Sequence, residues 1–165
     1  TLGKKPYSED NSARDSILVA VLTHGEGYHN FHHKFQVDYR NGIRWYHWDP
    51  TKWTIKLLAL MGLARKLRKV SEVEILKARL HVDSLKLKAQ GYSEQNLKPI
   101  KERLLEMQRQ MATAKSEMRK LRAEAGKWSQ EQYDRRMESY RASRQELQRS
   151  MVQWKNLQRR SLLES

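Results

Sequence analysis

The segment His24-Gly-Glu-Gly-Tyr-His-Asn-Phe-His-His33 carries the densest chemical information in this chain. Within it, His29, His32 and His33 are spaced at i, i+3 and i+4. If the backbone is helical, this spacing places three imidazoles on one face, within reach of a common cavity. Neutral imidazole is the usual ligand for iron, zinc and copper. The spacing therefore predicts a short helix that can bind metal, in which His29 and His33 can share one ion while His32 serves another.

Three histidines on one helical turn form an incomplete catalytic metal site, so further ligands must come from elsewhere. The His-Glu-x-x-His pattern of zinc proteases is absent. Glu26 could orient a histidine through a hydrogen bond, or it could equally be an acidic residue at a helix N-terminus. We expect His24 not to bind metal. His47 and His81 have no partner at metal spacing, and we expect both to be exposed.

The composition argues against a large globular core. The chain has 165 residues, of which 38% are hydrophobic, and its mean hydropathy is −0.92. Lys and Arg number 33 against 19 Asp and Glu, and the net charge of +14 favours binding to phosphates of nucleic acid, lipid or cofactor. The absence of cysteine excludes disulfides, thiolate metal sites and cysteine nucleophiles.

The ends and the apolar runs of the sequence indicate how it is organised. The chain begins at Thr1 without the pattern of a signal peptide, so we expect it to be a fragment or a processed product. No run of about 18 apolar residues occurs, and no segment is predicted to span a bilayer alone. Residues 1–16 are polar and predict a surface loop, and the apolar run 17–22 predicts one or two buried turns of helix.

Residues 53–67 predict a single apolar helix with basic residues at its flanks. Such a helix suits the surface of an anionic membrane, although a helix packed on a soluble core has a similar pattern. Trp45, Tyr46, Trp48 and Trp53 lie in and before this segment, and an aromatic cluster beside basic residues is typical of a membrane interface.

Beyond Gly91 the apolar residues recur at alternating spacings of four and three, which is the seam of a heptad helix. The first seam consists of Ile100, Leu104, Met107, Met111, Ala114, Met118, Leu121 and Ala125. The second consists of Tyr133, Met137, Tyr140, Leu147, Met151 and Trp154, and Arg144 interrupts it. Gly126 can cap the first helix, and Ser129 with Gln132 can form a capping box for the second. The chain is therefore predicted to be all-α, with a helical hairpin or coiled coil as its tail.

A longer string of residues resembles a known family. Gly25-Glu-Gly-Tyr-His-Asn-Phe-His-His33 and the following Phe35-Gln-Val-Asp-Tyr-Arg-Asn-Gly-Ile-Arg-Trp-Tyr46 closely resemble the third histidine box of the acyl-CoA delta-9 (stearoyl-CoA type) desaturases and its downstream segment. The resemblance implies that residues 1–80 are the C-terminal part of the desaturase domain, carrying the HxxHH box. Residues 81–165 are then a basic helical or coiled-coil tail.

The resemblance also implies an activity. Members of this family are multi-pass membrane enzymes in which histidines of three boxes bind two non-haem iron ions (Fe²⁺), and the third box corresponds here to His29, His32 and His33. They use O2 and two electrons to introduce a cis double bond into a fatty acyl-CoA or acyl-lipid. The electron donor is of the cytochrome b5 or ferredoxin type. The resemblance places this segment on the cytoplasmic side and implies that the segment alone is inactive, because the other two boxes are missing from it.

Two other functions remain open on the sequence alone. One is a basic coiled-coil binding module without catalysis, and the other is a related histidine-box hydroxylase. Glu is mixed with Lys and Arg throughout the tail and no nucleic-acid motif occurs, so we do not expect nucleic acid as a partner. The heptad seams predict a homo-oligomer formed through the tail.

Overall fold

A computed structural model shows that the chain is all-helical, as predicted. The structure describes residues 3–10, 12–23, 26–123 and 129–163, with the side chains described as far as residue 159. These residues form six helices and no strand beyond isolated bridges. The helices are α1 (Ile17–Leu22), α2 (His29–Lys34), α3 (Pro50–Leu60), α4 (Glu72–Ala89), α5 (Glu94–Ala123) and α6 (Gln130–Leu163). The chain divides into two compact units, Thr1–Val82 and Asp83–Ser165. The roles predicted for residues 1–80 and 81–165 stay predictions.

The first unit is built around α2. Its apolar core consists of Tyr7, Phe31, Ile75 and Ala78, with Phe35, Ile43 and Val70 packed against it. Tyr7 contacts Phe31 edge to face at 5.3 Å between ring centroids, and the Arg79 guanidinium lies 4.9 Å from the Tyr7 ring. Edge-to-face aromatic pairs and cation–π contacts add specific stabilisation to the buried area. The helix with the histidines is thus fastened from the N-terminal segment on one side and from α4 on the other.

Helix α1 differs from the prediction in the burial of its side chains. The apolar run does form a helix, begun by Ser16, whose Oγ accepts a hydrogen bond from Val19 N. It is not buried, however, because Ala20 is its only buried residue. Four apolar side chains of this helix are exposed, namely Ile17, Leu18, Val21 and Leu22. Within the described part of the unit, no apolar side chain covers these four residues.

Helix α3 is shorter than predicted and begins earlier. Asp49 caps it by accepting a hydrogen bond from Lys52 N, and Pro50 occupies the first helical turn. The helix ends because Gly62 adopts a φ of +77°, and the N–H groups of Leu63 and Gly62 donate to the carbonyls of Leu58 and Ala59. This pattern is a Schellman motif, which closes a helix with a glycine in the left-handed region. The prediction of one helix over residues 53–67 was therefore wrong.

The second unit contains the predicted helical hairpin. Glu117 pairs with Arg136 at 2.7 Å and Arg103 with Glu146 at 3.6 Å, so α5 and α6 run antiparallel. In the first seam the residues from Leu104 to Leu121 are buried or half-buried, whereas Ile100, its predicted first member, is exposed. In the second seam all six predicted residues are buried or half-buried. Because each seam packs within the hairpin, no second chain is needed to cover it, and the homo-oligomer stays a prediction.

The start of α6 follows the predicted capping box. Ser129 N donates to Gln132 Oε1 at 3.1 Å, and Gln132 N donates to Ser129 Oγ at 3.3 Å. Gly126 and Ala125 lie outside the described residues.

At the other end of the unit, Trp154 is buried and its indole N–H donates to Asp83 Oδ2 at 3.0 Å. A buried indole normally needs such a partner. In the part of the chain that is described, no helix combines the length and apolar character needed to cross a bilayer.

Candidate functional site

The three histidines form one cluster on α2. The distances between ring centroids are 4.5 Å for His29 and His33, 6.0 Å for His32 and His33, and 6.3 Å for His29 and His32. His33 is exposed, whereas His29 and His32 are half-buried. The predicted helical presentation of these residues, here called the histidine cluster, is confirmed. Their role as metal ligands stays a prediction.

The chemistry of the cluster fits metal binding. His32 Nδ1 is buried and has no hydrogen-bond partner among the described residues, and the same is true of His47 Nδ1. A buried ring nitrogen without a partner is costly unless something else satisfies it, and a metal ion is one such partner. Over residues 3–10, 12–23, 26–123 and 129–159, no three His, Asp or Glu side chains converge on one point as a complete site.

The N-terminal end of α2 is held by a distant carboxylate. Tyr28 precedes the helix and provides no side-chain cap. Instead Asp15 Oδ1 accepts hydrogen bonds from Asn30 N at 2.9 Å and Phe31 N at 3.3 Å. Burial raises the pKa of Asp15 to about 6, although the two N–H groups that it accepts from act in the opposite direction. Asp15 is itself fixed by backbone pairing with Lys4. A carboxylate here satisfies two N–H groups that the helix leaves unpaired.

The buried side chain of Asn30 joins the helix to the N-terminal segment. Its Oδ1 accepts hydrogen bonds from Tyr7 N at 2.9 Å and Ser8 N at 3.2 Å. Its Nδ2 donates to Ser8 O at 2.8 Å and Ala13 O at 3.1 Å. Tyr7 and Ser8 are both buried. Residues 3–10 and 12–16 form the predicted loop, but the prediction that it lies at the surface is wrong for Tyr7 and Ser8. Residues 3–10 and 12–16, here called the strap, pack against α2 because Asn30 satisfies their backbone groups.

The turn before α2 allows only glycine at residue 27. A Cβ on Gly27 would lie 2.0 Å from Ala20 N and 2.5 Å from Ser16 O, which no real side chain tolerates. Ser16 N donates to Gly27 O at 2.7 Å, so the start of α1 and this turn lie side by side. The close approach fixes the direction in which the chain enters the histidine helix.

Glu26 lies beside the first histidine of the cluster. Its Oε2 is 3.5 Å from His29 Nδ1, and both side chains are partly exposed. This distance is compatible with a carboxylate that orients a ligand ring through its second nitrogen. An open cleft of about 420 Å³ adjoins the pair and is also lined by Arg14, Ser16 and Thr23. His24 lies outside the described residues.

The remaining histidines differ from each other. His81 is exposed, as predicted. The prediction that His47 is exposed was wrong, because its ring is half-buried and stacks on Tyr28 at 4.5 Å between centroids. Burial and, to a lesser extent, the nearby cations Lys52 and Arg44 lower the pKa of His47 to about 4. His47 is therefore a neutral packing residue, which its position in the sequence did not reveal.

The loop that follows α2 is fastened by buried charged groups. Lys52 Nζ donates to the carbonyls of Gly42, Arg44 and His47 at 3.0, 2.9 and 3.3 Å. Asp49 Oδ2 accepts from the N–H groups of residues 41 and 42, both at 2.8 Å. These bonds fix the backbone of residues 41–49, which would otherwise be an unsupported turn.

A second carboxylate, Asp38, anchors the segment between α2 and this loop. It binds the Arg40 guanidinium at 2.8 and 2.6 Å and accepts from Val70 N at 2.9 Å. Burial opposes ionisation of Asp38, but the hydrogen bonds from Arg40 and Val70 outweigh it, and the pKa of Asp38 lies below its usual value. Bidentate pairing of this kind is among the stronger polar contacts in proteins.

Comparisons with known proteins agree with the sequence resemblance. Acyl-CoA desaturase 1 of Saccharomyces cerevisiae is 45% identical over 86 residues, which is 52% of this chain and 17% of that protein. A probable acyl-CoA desaturase of Schizosaccharomyces pombe is 49% identical over 76 residues, 46% of this chain and 16% of that protein. Stearoyl-CoA desaturase 2 of Rattus norvegicus is 39% identical over 74 residues, 45% of this chain and 21% of that protein.

These matches cover about half of the chain and only a small part of each relative. The chain spans between 16% and 21% of the length of the three desaturases. No family model matches the chain, and no solved structure matches it significantly. The similarity is therefore to a segment of these proteins and leaves the remainder of the chain without a counterpart.

Proposed function

Because about half of this chain is homologous to acyl-CoA desaturases, we propose that it is part of a membrane-bound fatty acyl desaturase. The proposed reaction introduces a cis double bond, at the delta-9 position, into a saturated acyl-CoA or similar thioester. The observation that carries the proposal is the cluster of three imidazoles on one short helix, with ring centroids 4.5 to 6.3 Å apart.

In this proposal His29, His32 and His33 are ligands of two non-haem iron ions. The unpaired Nδ1 of His32 supports its assignment, since ligation would satisfy it. The closeness of His29 and His33 supports their sharing one ion. The remaining ligands lie outside this cluster, in accord with its being only part of a site. Iron, when bound, would activate O2, which with two donor electrons takes two hydrogens from an unactivated acyl chain and leaves as two waters.

The other residues around the cluster act by holding the three rings in place. Asp15 fixes the start of α2 through two backbone N–H groups, and Asn30 locks the helix to the strap. The Glu26 carboxylate lies 3.5 Å from His29 Nδ1, where it can help to orient that ring. A catalytic ligand has to be held within a fraction of an ångström, which packing and hydrogen bonds to its support achieve.

The proposal assigns further partners to the whole protein. The protein is multi-pass in the membrane, with this segment on the cytoplasmic side, and it receives electrons from a cytochrome b5 or ferredoxin-type donor. A related hydroxylase would use the same cluster, but the named relatives described above are desaturases. We therefore keep desaturation as the reaction.

The test is a fatty acid profile of cells that lack their own acyl desaturase and express the full natural protein. The wild type is expected to produce monounsaturated chains with a cis bond at carbon 9. His29→Gln, His32→Gln and His33→Gln should each abolish them, whereas the exposed His81→Gln serves as the matched control and should retain them. An unchanged lipid profile for the wild type, at a normal protein level, contradicts the proposal and favours a helical binding module.

A further inference from the structure

Helix α3 buries a lysine and exposes most of its apolar side chains. Its buried residue is a lysine, Lys52, which is 1% exposed and donates to three backbone carbonyls. Its leucines are outside, with Leu57 59% and Leu60 87% exposed. A helix that buries its cation and exposes its leucines has an outer face suited to an apolar medium.

The exposed apolar residues form a continuous stripe. Trp53, Leu57 and Leu60 are separated by four and three residues and therefore lie on one side of α3. Met61 and Leu63 continue the exposed apolar surface beyond the helix end, at 64% and 71% exposure. We call these five residues the apolar stripe. Contiguous apolar patches of this kind on a protein surface mark contact with a membrane or a partner.

The charged residues around the apolar stripe are all basic. Residues 50–71 contain no acidic residue and six basic ones. One of these, Lys52, is buried, and the other five are exposed: Lys56, Arg65, Lys66, Arg68 and Lys69. We call the last four the basic segment. A symmetric contact with a second copy would oppose one positive surface to another, which disfavours self-association here. An anionic surface is complementary.

The loop before α3 presents aromatic residues next to the stripe. Trp45 is 82% exposed and Tyr46 53% exposed, although buried bonds fix the backbone of this loop. Trp48 contacts Trp53 edge to face at 5.5 Å between centroids, which joins the loop to the stripe. Tryptophan and tyrosine favour the headgroup level of a bilayer, where a ring has both apolar and polar neighbours.

We propose that residues 45–69 form a docking face for an anionic phospholipid bilayer. The apolar stripe enters the boundary between headgroups and acyl chains, the aromatic residues lie at headgroup level, and the basic segment binds the phosphates. Nucleic acid would engage the cations but leave the leucines in water. The inference rests on the membrane location proposed above, but it needs neither iron nor catalysis, so it can fail while the desaturase proposal stands.

The test measures sedimentation of the metal-free 165-residue chain with lipid vesicles. One set of vesicles is pure phosphatidylcholine, and the other contains about one third phosphatidylserine. The chain is expected to bind the anionic vesicles and to be released by salt. Leu60→Glu with Leu63→Glu should weaken the partition coefficient at least about tenfold, because two acids are placed in the stripe. Both residues are exposed, so the fold should tolerate the change.

A matched control separates the stripe from general charge effects. Leu85→Glu with Val152→Glu alters the net charge equally at two exposed apolar residues elsewhere, and it should weaken binding far less. A second variant replaces the four residues of the basic segment by Gln. Each cation near an anionic surface strengthens binding about fivefold, so the loss of all four should weaken binding by up to about six hundredfold.

The control for the basic-segment variant replaces four exposed cations of the hairpin by Gln and should retain most of the binding. These cations are Arg119, Arg141, Arg149 and Lys155. The proposal is overturned if the wild type does not bind anionic vesicles, or if the stripe variant and its control bind equally. It is also overturned if the stripe variant instead abolishes a dimer of the chain.

Discussion

Replacement of Asn30 by alanine should loosen the histidine helix from the strap. The side chain is fully buried and takes part in four hydrogen bonds of 2.8 to 3.2 Å to backbone groups of residues 7, 8 and 13. A net contribution of about 1 kcal/mol from each bond gives a loss of about 4 kcal/mol from the free energy of opening of this region. Since 1.4 kcal/mol corresponds to a factor of ten, amide exchange should accelerate about a thousandfold.

Hydrogen exchange followed by mass spectrometry measures this change locally. Peptides that cover residues 3–10 and 28–36 should exchange faster in Asn30→Ala, while peptides from the hairpin serve as an internal reference. Asn30→Asp keeps the acceptor for the two strap N–H groups but sets a carboxylate oxygen against the Ser8 and Ala13 carbonyls, so exchange should accelerate here too. Asn156→Ala, at an exposed position in α6, is the matched control and should change nothing. An acceleration of less than about fivefold in the strap and α2 peptides, equal to about 1 kcal/mol, refutes the role given to this side chain.

Three further changes test other parts of the first unit. Gly27→Ala places a Cβ 2.0 Å from the backbone of α1, and it should abolish exchange protection of α1; unchanged protection contradicts the close approach. The low pKa of Asp38 means that its ionised form stabilises the fold above its unfolded pKa of 3.8 and that this stabilisation is lost as pH falls. Asp38→Asn should therefore lower the free energy of unfolding, measured in urea, by about 2 kcal/mol at pH 7 and by less at pH 3. An equal loss at both pH values would contradict the role given to Asp38. The pKa of His47, lowered from 6.5 to about 4, means that stability is complete above pH 6.5 and is lost as pH falls towards 4. The raised pKa of Asp15 acts in the opposite direction over an overlapping range, so the measurement is the difference between the wild type and His47→Gln, which should shrink from pH 7 to pH 4.

The sequence predicted those features that depend on local spacing. The i, i+3, i+4 pattern of His29, His32 and His33 predicted one helix face, and α2 presents the three rings together. The alternation of four and three predicted the seams of α5 and α6, because such spacing fits only helices that pack along their length. The interruption at Arg144 was also confirmed, since that residue is exposed. In each case the determining contacts lie within one helix or between two adjacent helices.

Features that depend on distant residues were missed. Asn30 binds residues 22 and 23 positions earlier, and Asp15 caps a helix 15 residues later, so no local pattern contains either pair. Lys52 is one of the basic residues that flank the apolar run, and the sequence did not predict that three carbonyls of the preceding loop bind it. The carbonyls that bind it belong to a loop whose path only the folded chain defines. His47 was misjudged for the same reason, because its stacking partner Tyr28 is on another element.

Some misses had a signal in the sequence that was not used. Asp49-Pro50 is a typical helix start, with a capping carboxylate before a proline in the first turn. Gly62 after an apolar run is a typical helix end. Together they would have bounded α3 correctly. The exposure of α1 had no such signal, because six apolar residues do not indicate whether a partner surface exists.

The central claim, that His29, His32 and His33 ligate iron, is tested most directly by the iron content of the purified full natural protein. About two iron ions per chain are expected in the wild type, by resemblance to the desaturases, with an unchanged content in His81→Gln. The three single variants, His29→Gln, His32→Gln and His33→Gln, should each lose a large part of the iron while the strap and α2 keep their exchange protection. Undiminished iron in all three variants, or a correctly folded wild type without iron, would contradict the claim.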